Sequence, residues 1–375
     1  MSSDQSEQDV LNKLSIVAPI ARGLLAELSG NEDMPYVPVL LECSAGRAKN
    51  KEVLSVSVES DSTDAIKKQL QEAIDSYKSQ NGSKPSRLYI AGLGTLTVTV
   101  PAQADASTPL KNKVALVTGA AGAIGFGICK ALLESGCHLA ASDLPGEKLD
   151  GFVADMDQIQ PGKVIGVAMD VTDKDNVEAG FRKVVQRWGG IDIVVHNAGI
   201  ALVSTIKDMS LDAFRKLEKV NIEGTLLTIA EAARILTAQG IGGDIVIMST
   251  KNVPSPSAGF GAYSATKAAC HQLGRIASLE FAQHDIRVNM VAPDAVFAEG
   301  KYKSGLWQEV GTDRMKARGL DEKGLHEYYR SRNLLKAKVT GRHVANAVLF
   351  FVTRQTPTTG ATIPVDGGLP DATPR

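Results

Sequence analysis

From residue 110 onward, short apolar runs alternate with segments in which apolar residues recur at helical spacing. Each run is apolar at successive positions, which is typical of strands buried on both faces of a sheet. Strands that alternate with helices predict an α/β fold with a doubly wound parallel sheet, whose ligands bind beyond the carboxyl ends of the strands. The predicted strands are 114–118, 138–142, 164–169, 192–195, 244–249, 286–291 and about 361–365, and the predicted helices are about 123–135, 147–157, 174–188, 210–238, 262–283 and 341–353.

The first hundred residues follow a different pattern, and a run rich in Ala, Ser, Thr, Gln and Pro from Pro101 to Pro109 is typical of a linker. We therefore predict a small N-terminal α/β domain over residues 1–105 and a second domain over 106–375. No catalytic constellation is found in the first domain, so its role stays open. Its predicted helices are 9–29 and 63–79, and its predicted strands are 37–42, 53–58, 87–91 and 95–100.

Composition narrows the classes of partner. A hydrophobic content of 43%, a charged content of 22% and a net charge of −1 predict a soluble protein with neither a nucleic acid nor a membrane as partner. The polar start does not resemble a signal peptide, and four cysteines without a CxxC pair are typical of a reducing compartment, so a cytoplasmic protein is expected. No residue cluster has metal-ligand spacing, and His196 is interpreted as a core residue.

A glycine-rich turn follows the first strand of the predicted parallel sheet. The segment from Thr118 to Gly125 reads TGAAGAIG and opens a helix, which is the context of a dinucleotide loop. Free backbone amides at a helix start attract phosphate, and missing side chains let it approach closely. The loop therefore predicts a cofactor site that includes Gly119, Ala123, Ile124 and Gly125.

Asp143 ends the second strand, and Leu144 follows it. A carboxylate at this place can accept hydrogen bonds from both ribose hydroxyls of NAD. It also repels the additional phosphate of NADP. No Lys or Arg lies in the loop or directly beside Asp143 in the sequence, so NAD is the predicted cofactor. The alternative is an ordinary solvated carboxylate at a strand end.

Tyr263 and Lys267 lie four residues apart in a predicted helix, on one face. Hydride transfer to or from an alcohol carbon requires a partner for the hydroxyl proton. A free phenol is a poor base at neutral pH, but a neighbouring ammonium stabilises the phenolate. Together with the upstream loop, the pair predicts an oxidoreductase that acts on an alcohol.

These ordered motifs are similar to those of the short-chain dehydrogenase/reductase family, from about Leu110 to the C-terminus. The resemblance implies a Rossmann-type fold. The family loop has the form TGxxxGxG, and Ala123 replaces its second glycine. Lys267 would also hold the nicotinamide ribose, as it does in the family. Further motifs imply cofactor contacts at an adenine-flanking pair, an NAG motif and a turn after the sixth strand, which correspond here to Asp170 and Val171, to Asn197, Ala198 and Gly199, and to Val296.

The resemblance also implies two more catalytic groups. Thr250 stands where the family places a serine that orients the substrate oxygen, thirteen residues before the tyrosine, but Ser249 is a neighbouring alternative. Adjacent strand residues point to opposite faces, and Thr250 is favoured. Asn221 matches an asparagine of the family's proton relay, although it could instead be a helix-interior polar residue with a local bond. Asp170 could likewise serve only to cap the helix expected near Thr172.

Four further segments narrow the resemblance, namely Lys251-Asn252, Pro293-Asp294-Ala295-Val296, in which Asp294 replaces the glycine of the family's turn, Tyr328-Tyr329-Arg330 and Val365-Asp366-Gly367-Gly368. In these segments the chain most resembles the dehydrogenase half of bifunctional rhamnulose-phosphate aldolase/short-chain dehydrogenases and related sugar-alcohol dehydrogenases. This resemblance implies a small polyol, sugar, sugar phosphate or lactaldehyde as substrate. Residues 297–338 are expected to form a substrate lid. The candidate substrate residues are Ser249, Lys251, Asn252 and Arg330.

Family members commonly form homo-oligomers, so a homotetramer is expected, with contacts through helices 210–238 and 262–283 and the C-terminal strand. Three alternative functions remain open. They are an acyl or steroid reductase, a catalytically weak NAD-binding assembly protein, and a residual aldolase or lyase activity in the N-terminal domain.

Overall fold

A computed structural model describes residues 3–47, 53–100, 104–298 and 300–369. The first three residues of the predicted linker, 101–103, lie outside the described residues. The remainder of that linker, 104–109, forms turns and irregular backbone. The division into domains at residue 105 stays a prediction.

The N-terminal part combines two helices with a four-stranded sheet in the order β3–β6–β5–β4. The strand expected over 37–42 is interrupted because Pro38 lacks the N–H that a ladder requires. The residues before Pro38 pair instead in a short hairpin that the sequence did not predict. The elements are α1 (Ser3–Leu25), β1 (Glu27–Leu28), β2 (Tyr36–Val37), β3 (Leu40–Ser44), β4 (Leu54–Val56), α2 (Thr63–Asn81), β5 (Arg87–Ile90) and β6 (Gly94–Thr99).

The second part contains the predicted doubly wound sheet, which is confirmed. Its seven strands are all parallel, in the order β13–β12–β11–β10–β7–β8–β9. The chain reverses its direction of winding between β7 and β10, so a crevice opens beyond their carboxyl ends. The strands are β7 (Val114–Thr118), β8 (His138–Asp143), β9 (Val164–Ala168), β10 (Ile193–His196), β11 (Gly243–Met248), β12 (Ile286–Pro293) and β13 (Thr362–Val365).

Helices cover both faces of this sheet, as two separate apolar clusters demonstrate. Val114 and Leu116 of β7 belong to one cluster, and the alternate residues Ala115 and Val117 belong to the other. The first cluster includes α5, α7 and α8, and the second includes α3, α4 and α11. The helices are α3 (Ala123–Glu134), α4 (Glu147–Ile159), α5 (Lys174–Trp188), α6 (Leu211–Glu218), α7 (Gly224–Gln239), α8 (Gly261–Phe281), α9 (Gly305–Arg318), α10 (Glu322–Ser331) and α11 (Gly341–Val352).

The single helix predicted over 210–238 is divided by a π-helical turn, Lys219–Glu223, between α6 and α7. The Gly224 N–H donates to the Lys219 carbonyl, five residues back, which widens the backbone locally. Asn221 lies in this turn and is fully buried. The apolar spacing of the sequence continues through the turn and therefore predicted one helix.

The N-terminal part and the main sheet share one apolar core. α1 packs against α5 and α7, and Leu14, Leu41 and Leu88 belong to the same cluster as that helical face. A buried ion pair crosses this contact, because Arg22 of α1 donates to both carboxylate oxygens of Asp192, at 3.0 and 2.7 Å. Asp192 immediately precedes β10, so the pair lies at the amino ends of the strands, opposite the crevice.

The described residues contain neither a candidate membrane-spanning helix nor a candidate metal-binding cluster. No helix among them combines the length and apolar character that crossing a bilayer requires. No group of three or more His, Cys, Asp and Glu side chains among them is arranged to hold a metal ion.

Candidate active site

A cleft of about 800 Å³ lies beyond the carboxyl ends of the strands. This volume falls within the range of ligand pockets in proteins. All but two of the residues predicted from sequence for the cofactor, the reaction and the substrate line it, the exceptions being Asn221 and Arg330. The lining residues among them are Gly119, Ala123, Ile124, Gly125, Asp143, Leu144, Asp170, Val171, Asn197, Ala198, Gly199, Ser249, Thr250, Lys251, Asn252, Tyr263, Lys267 and Val296, and Asn221 lies buried directly behind the wall.

The glycine loop connects β7 to α3 and is held by the neighbouring strand. Gly119 has a φ of 60°, and a Cβ atom there would lie 2.9 Å from the Ala198 Cα, so only glycine fits. The Asn197 side-chain amide donates to the Thr118 and Gly119 carbonyls, at 3.1 and 2.8 Å. The NAG motif therefore fixes the shape of the loop as well as lining the cleft.

The loop suits the pyrophosphate of a dinucleotide. α3 begins at Ala123, and no side chain caps its N-terminal amides. A Cβ atom on Gly125 would lie 2.3 Å from the Ala120 carbonyl oxygen, so the helix start approaches the loop more closely than a side chain allows. Bare amides and a positive helix end together form an anion site.

Asp143 is less isolated than the sequence suggested. Its carboxylate accepts hydrogen bonds from the Ala121 and Leu144 backbone amides, at 3.0 and 2.9 Å, and so ties the end of β8 to the glycine loop. The Lys148 ammonium, from the first turn of α4, lies 3.7 Å from the same carboxylate. The expectation that no basic residue lies beside Asp143 was wrong, because helix α4 folds its first turn back over the strand end.

Asp170 does not cap the following helix. Its carboxylate accepts from the Thr172 amide at 2.9 Å and closes a tight turn. The helix α5 begins later, at Lys174, and Asp173 caps it by accepting from the Asn176 amide at 3.0 Å. Asp170 and the buried Val171 consequently remain in the wall of the cleft.

Tyr263 and Lys267 lie one turn apart on α8, and both line the cleft. The buried Lys267 ammonium donates to the Met248 carbonyl at the end of β11, at 2.9 Å. A Cβ atom added to Gly199 would lie 3.0 Å from the Lys267 Nζ and 3.2 Å from the Asn221 Oδ1. Glycine at this position therefore lets the ammonium and the asparagine approach the same point.

Asn221 is held on three sides. Its side chain exchanges two hydrogen bonds of 3.0 Å with the Ile200 backbone, and it donates to the Thr266 hydroxyl at 3.0 Å. The Asn221 side chain therefore bonds to other elements and does not form the local helical hydrogen bond considered as the alternative. The π-helical turn directs Asn221 across to the loop after β10, beside Lys267.

The hydroxyls of Ser249 and Thr250 have different partners. The Ser249 Oγ lies 2.9 Å from the His271 Nδ1 of α8. Burial, and secondarily the charge of Arg275, lowers the pKa of His271. The Thr250 Oγ1 accepts only a long bond of 3.3 Å, from the Asn252 amide. Of the two hydroxyls, that of Thr250 is thus the less strongly hydrogen-bonded within the protein.

His196 lies in the core, as its sequence context indicated. Its Nε2 is 3.0 Å from the Thr225 hydroxyl, and it is fully buried. Burial, with a smaller contribution from Lys267, lowers the pKa of His196 to about 3. The ring is therefore neutral at physiological pH.

Of the predicted lid, 297–338, residue 299 lies outside the described residues, and the rest contributes one wall of the cleft through α9 and α10. The apolar side chains of this segment make a small cluster with Ala295, built on Phe297, Leu325, Tyr329 and Trp307. The Trp307 indole donates to the Val296 carbonyl at 2.9 Å and so fastens α9 to the end of the main sheet.

The candidate substrate residue Arg330 lies outside the cleft. Its exposed guanidinium makes two hydrogen bonds of 2.8 Å to Glu327, one turn back on α10. Arg314 and Arg332 line the cleft instead. Arg332 is ion-paired with Asp294, the residue that replaces a family glycine, and lies over the Tyr329 ring. The sequence showed many cations in this segment but not which of them point inward.

The cleft is strongly basic although the whole chain is nearly neutral. Among the described residues, three carboxylates line it, those of Asp143, Asp170 and Asp294. The lining cations are Lys148, Arg215, Lys216, Lys219, Lys251, Lys267, Arg314 and Arg332. Arg215, Lys216 and Lys219 belong to α6 and the π-helical turn, a segment whose contribution to the site the sequence analysis missed.

Comparison with known proteins agrees with this geometry. The family model of short chain dehydrogenases matches residues 113–308. An uncharacterized oxidoreductase of Bacillus subtilis is 35% identical over 266 residues, which are 70% of this chain but 38% of that protein. The chain therefore spans well under half the length of that relative.

Two further proteins show the same similarity. A sorbitol dehydrogenase of Cereibacter sphaeroides is 34% identical over 190 residues, 51% of this chain and 73% of that one. The crystal structure of a sorbitol-6-phosphate 2-dehydrogenase from Erwinia amylovora superposes with a TM-score of 0.63 at 26% identity, over 68% of this chain and 98% of that one.

Proposed function

This chain belongs to the short-chain dehydrogenase family of oxidoreductases, and from that premise we propose that it is an NAD-dependent enzyme that interconverts a secondary alcohol and a ketone on a small polyol or sugar. One observation carries the proposal. Tyr263, Lys267, Thr250 and the glycine loop all line the same cleft. The sorbitol and sorbitol-6-phosphate dehydrogenases to which the chain is similar support the substrate class.

Four side chains would manage the proton in this reaction. The bound dinucleotide supplies the hydride acceptor or donor for the alcohol carbon. Tyr263 exchanges the hydroxyl proton through its Oη atom, and the Lys267 ammonium stabilises the phenolate form. Thr250 orients the substrate oxygen by a hydrogen bond. Asn221, fixed between the Ile200 backbone and Thr266 and close to Lys267, would continue the relay from Lys267 through water, so that the proton reaches solvent.

The glycine loop, Asp143 and the NAG motif would hold the cofactor. The amides at the start of α3 bind pyrophosphate, and the Asp143 carboxylate accepts from the adenosine ribose. NAD is proposed over NADP because Asp143 lies in the wall at this position. The Lys148 ammonium beside it reduces the expected preference, since a cation at 3.7 Å partly offsets the repulsion of a second phosphate.

The basic wall of the cleft argues against the alternative of an acyl or steroid reductase. Lys251 and Arg314, which line the cleft, would be desolvated by an acyl or steroid chain that offers them no compensating charge. The remaining alternatives, a weak NAD-binding protein or an activity of the N-terminal part, have no side-chain arrangement in the described residues that favours them.

The test is a screen for NADH formation over polyols, aldoses, lactaldehyde and their phosphates. The Tyr263→Phe variant should bind NADH normally and lose turnover by about 10²–10⁴-fold, because the proton carrier is removed while the ring is kept. NADH fluorescence measures the first quantity and steady-state kinetics the second. A variant with near wild-type kcat would assign the proton transfer to another group.

We also propose that the protein is a homo-oligomer, most simply a tetramer. The support is a set of exposed apolar side chains on α7 and α8, namely Leu226, Ile276 and Leu279. Water-exposed apolar surface of this kind is typical of protein contacts.

A further inference from the structure

Arg314 is a buried cation that has no counterion among the described residues. It lies on α9 in the wall of the cleft, and only 7% of the residue is exposed. Its guanidinium carbon lies 4.2 Å from the centre of the Phe260 ring. Within the described parts of the chain, no carboxylate comes within ion-pair distance of it, and its Nε has no hydrogen-bond partner.

Other arginines in comparable surroundings are neutralised by the protein. Arg22 is paired with Asp192, Arg354 with Asp244 and Asp285, and Arg332 with Asp294. A buried charge is costly unless an opposite charge compensates it. Arg314 is therefore an exception, and its position in the wall of the cleft means that a ligand can supply the missing charge.

The position of Arg314 relative to Tyr263 limits what that ligand can be. Phe260 lies between them, because its ring is also 5.8 Å from the Tyr263 ring. The separation of the guanidinium from the phenol ring cannot exceed the sum of these two distances, a span that an extended sugar chain can cover. A group bound to Arg314 could thus belong to the same molecule whose alcohol carbon lies at Tyr263.

A second cation lies on the adjoining wall. Lys251 follows Thr250 directly, and its ammonium donates to the Ser257 hydroxyl at 2.9 Å and to the Ser255 carbonyl at 3.3 Å. These bonds fix the ammonium in the cleft wall. Arg314 and Lys251 are thus two cations of the same cleft.

We propose that Arg314 binds a terminal oxyanion of the substrate, a phosphate or a carboxylate at the far end of the chain from the reacting alcohol. The inference rests on the proposed function and specifies its substrate class. A guanidinium binds the oxygens of either group through two parallel N–H donors. A neutral polyol leaves the Arg314 charge uncompensated, so the cleft discriminates against it.

The kinetic test compares a hexitol, its 6-phosphate and the corresponding aldonate as substrates with NAD. In the wild type, kcat/KM for at least one anion should exceed that for the neutral hexitol, and the better anion identifies the source of the charge. Arg314→Met should lower this anion-to-neutral ratio by about 10–100-fold, the usual weight of a hydrogen bond to a charged group. Arg318→Met, which removes an equal charge from the exposed end of α9, should keep the wild-type ratio.

A wild type that prefers the neutral hexitol to both anions overturns the proposal and leaves the polyol dehydrogenase function intact. An Arg314→Met variant with an unchanged ratio does the same. If the wild type oxidises none of the three compounds, the proposed function fails, and ligand binding alone then decides about Arg314.

The binding test uses inorganic phosphate with the NAD-saturated protein, in which the cofactor's own phosphate site is filled. Phosphate should raise the melting temperature of the wild type and of Arg318→Met more than that of Arg314→Met, at equal ionic strength. Equal shifts in all three proteins contradict the proposal. Without ligand, Arg314→Met should melt at or above the wild-type temperature, because an uncompensated buried charge is gone. A markedly lower melting temperature would show that Arg314 supports the fold instead.

Discussion

At the scale of single residues, the reaction depends on which hydroxyl faces the substrate. Ser249 is engaged with His271 at 2.9 Å, whereas Thr250 accepts one long bond from a neighbouring amide. We expect Thr250→Ala to lower kcat by about 10²-fold and Ser249→Ala to lower it much less. Steady-state kinetics on the substrate found by the screen measures both, and the reverse order would assign the role to Ser249.

We also expect the choice of cofactor to depend on two residues, Asp143 and Lys148. Removing the carboxylate in Asp143→Ala should lower the ratio of kcat/KM with NAD to that with NADP by roughly tenfold or more, since the repulsion between charges about 4 Å apart is of order 1–4 kcal/mol. Lys148→Ala should change the ratio in the opposite direction, because it removes the cation available to a second phosphate. A wild type that uses NADP as well as NAD contradicts the proposed preference.

Sequence patterns located the residues whose roles depend on short spacing along the chain. Tyr263 and Lys267 share a helix face, and the glycine loop is continuous. Lys148 and Arg314 were not identified as neighbours of the site, because their positions depend on how α4 and α9 lie against the sheet. Arg330 was chosen instead of Arg314 or Arg332, since the pattern of cations in that segment does not reveal which face of each helix turns inward.

At the scale of elements, a buried ion pair reinforces the apolar contact between α1 and the main sheet. Burial pushes the pKa of Asp192 upward, but the charge and hydrogen bonds of Arg22 outweigh it and hold this pKa below its usual value. Arg22→Met leaves Asp192 buried and unpaired, so we expect a loss of about 3–5 kcal/mol in the free energy of unfolding at pH 7.

Urea unfolding measures this loss, and Lys13→Met provides the control. Lys13 lies on the same helix in an exposed pair with Asp61, at 3.4 Å, which should contribute about 0–1 kcal/mol. Equal effects of the two substitutions would mean that the buried pair does not stabilise the contact. The double variant Arg22→Met/Asp192→Asn should recover part of the loss, because the uncompensated charge is removed.

Most element boundaries followed from apolar periodicity, to within a few residues. Besides the short hairpin before β3, two features did not follow from apolar periodicity. The π-helical turn around Asn221 preserves the periodicity of the flanking helices and is invisible to it. The contact of α1 with β10 joins residues 170 positions apart, so no local pattern indicates it.

At the scale of the whole molecule, the exposed apolar side chains of α7 and α8 are the basis for expecting an oligomer. Leu279 is 80% exposed at the end of α8. We expect sedimentation velocity to find a tetramer at micromolar concentration, and Leu279→Asp to shift the population to smaller species, because a charge would be buried in the contact.

Leu28→Asp is the matched control for this prediction. Leu28 is 78% exposed but belongs to the hairpin of the N-terminal part and not to either helix. It should leave the sedimentation coefficient unchanged. A wild type that remains monomeric, or an equal response to the two substitutions, would exclude α7 and α8 as the contact.

The excess of cations around the cleft also affects the rates at which charged ligands bind and leave. A positive funnel within a nearly neutral protein attracts anions over distances comparable with the Debye length, about 8 Å at physiological ionic strength. We therefore expect a dinucleotide to associate faster than it would without such attraction. The same field should slow the departure of a negatively charged product, so product release is expected to contribute to the overall rate alongside the proton transfer proposed for Tyr263.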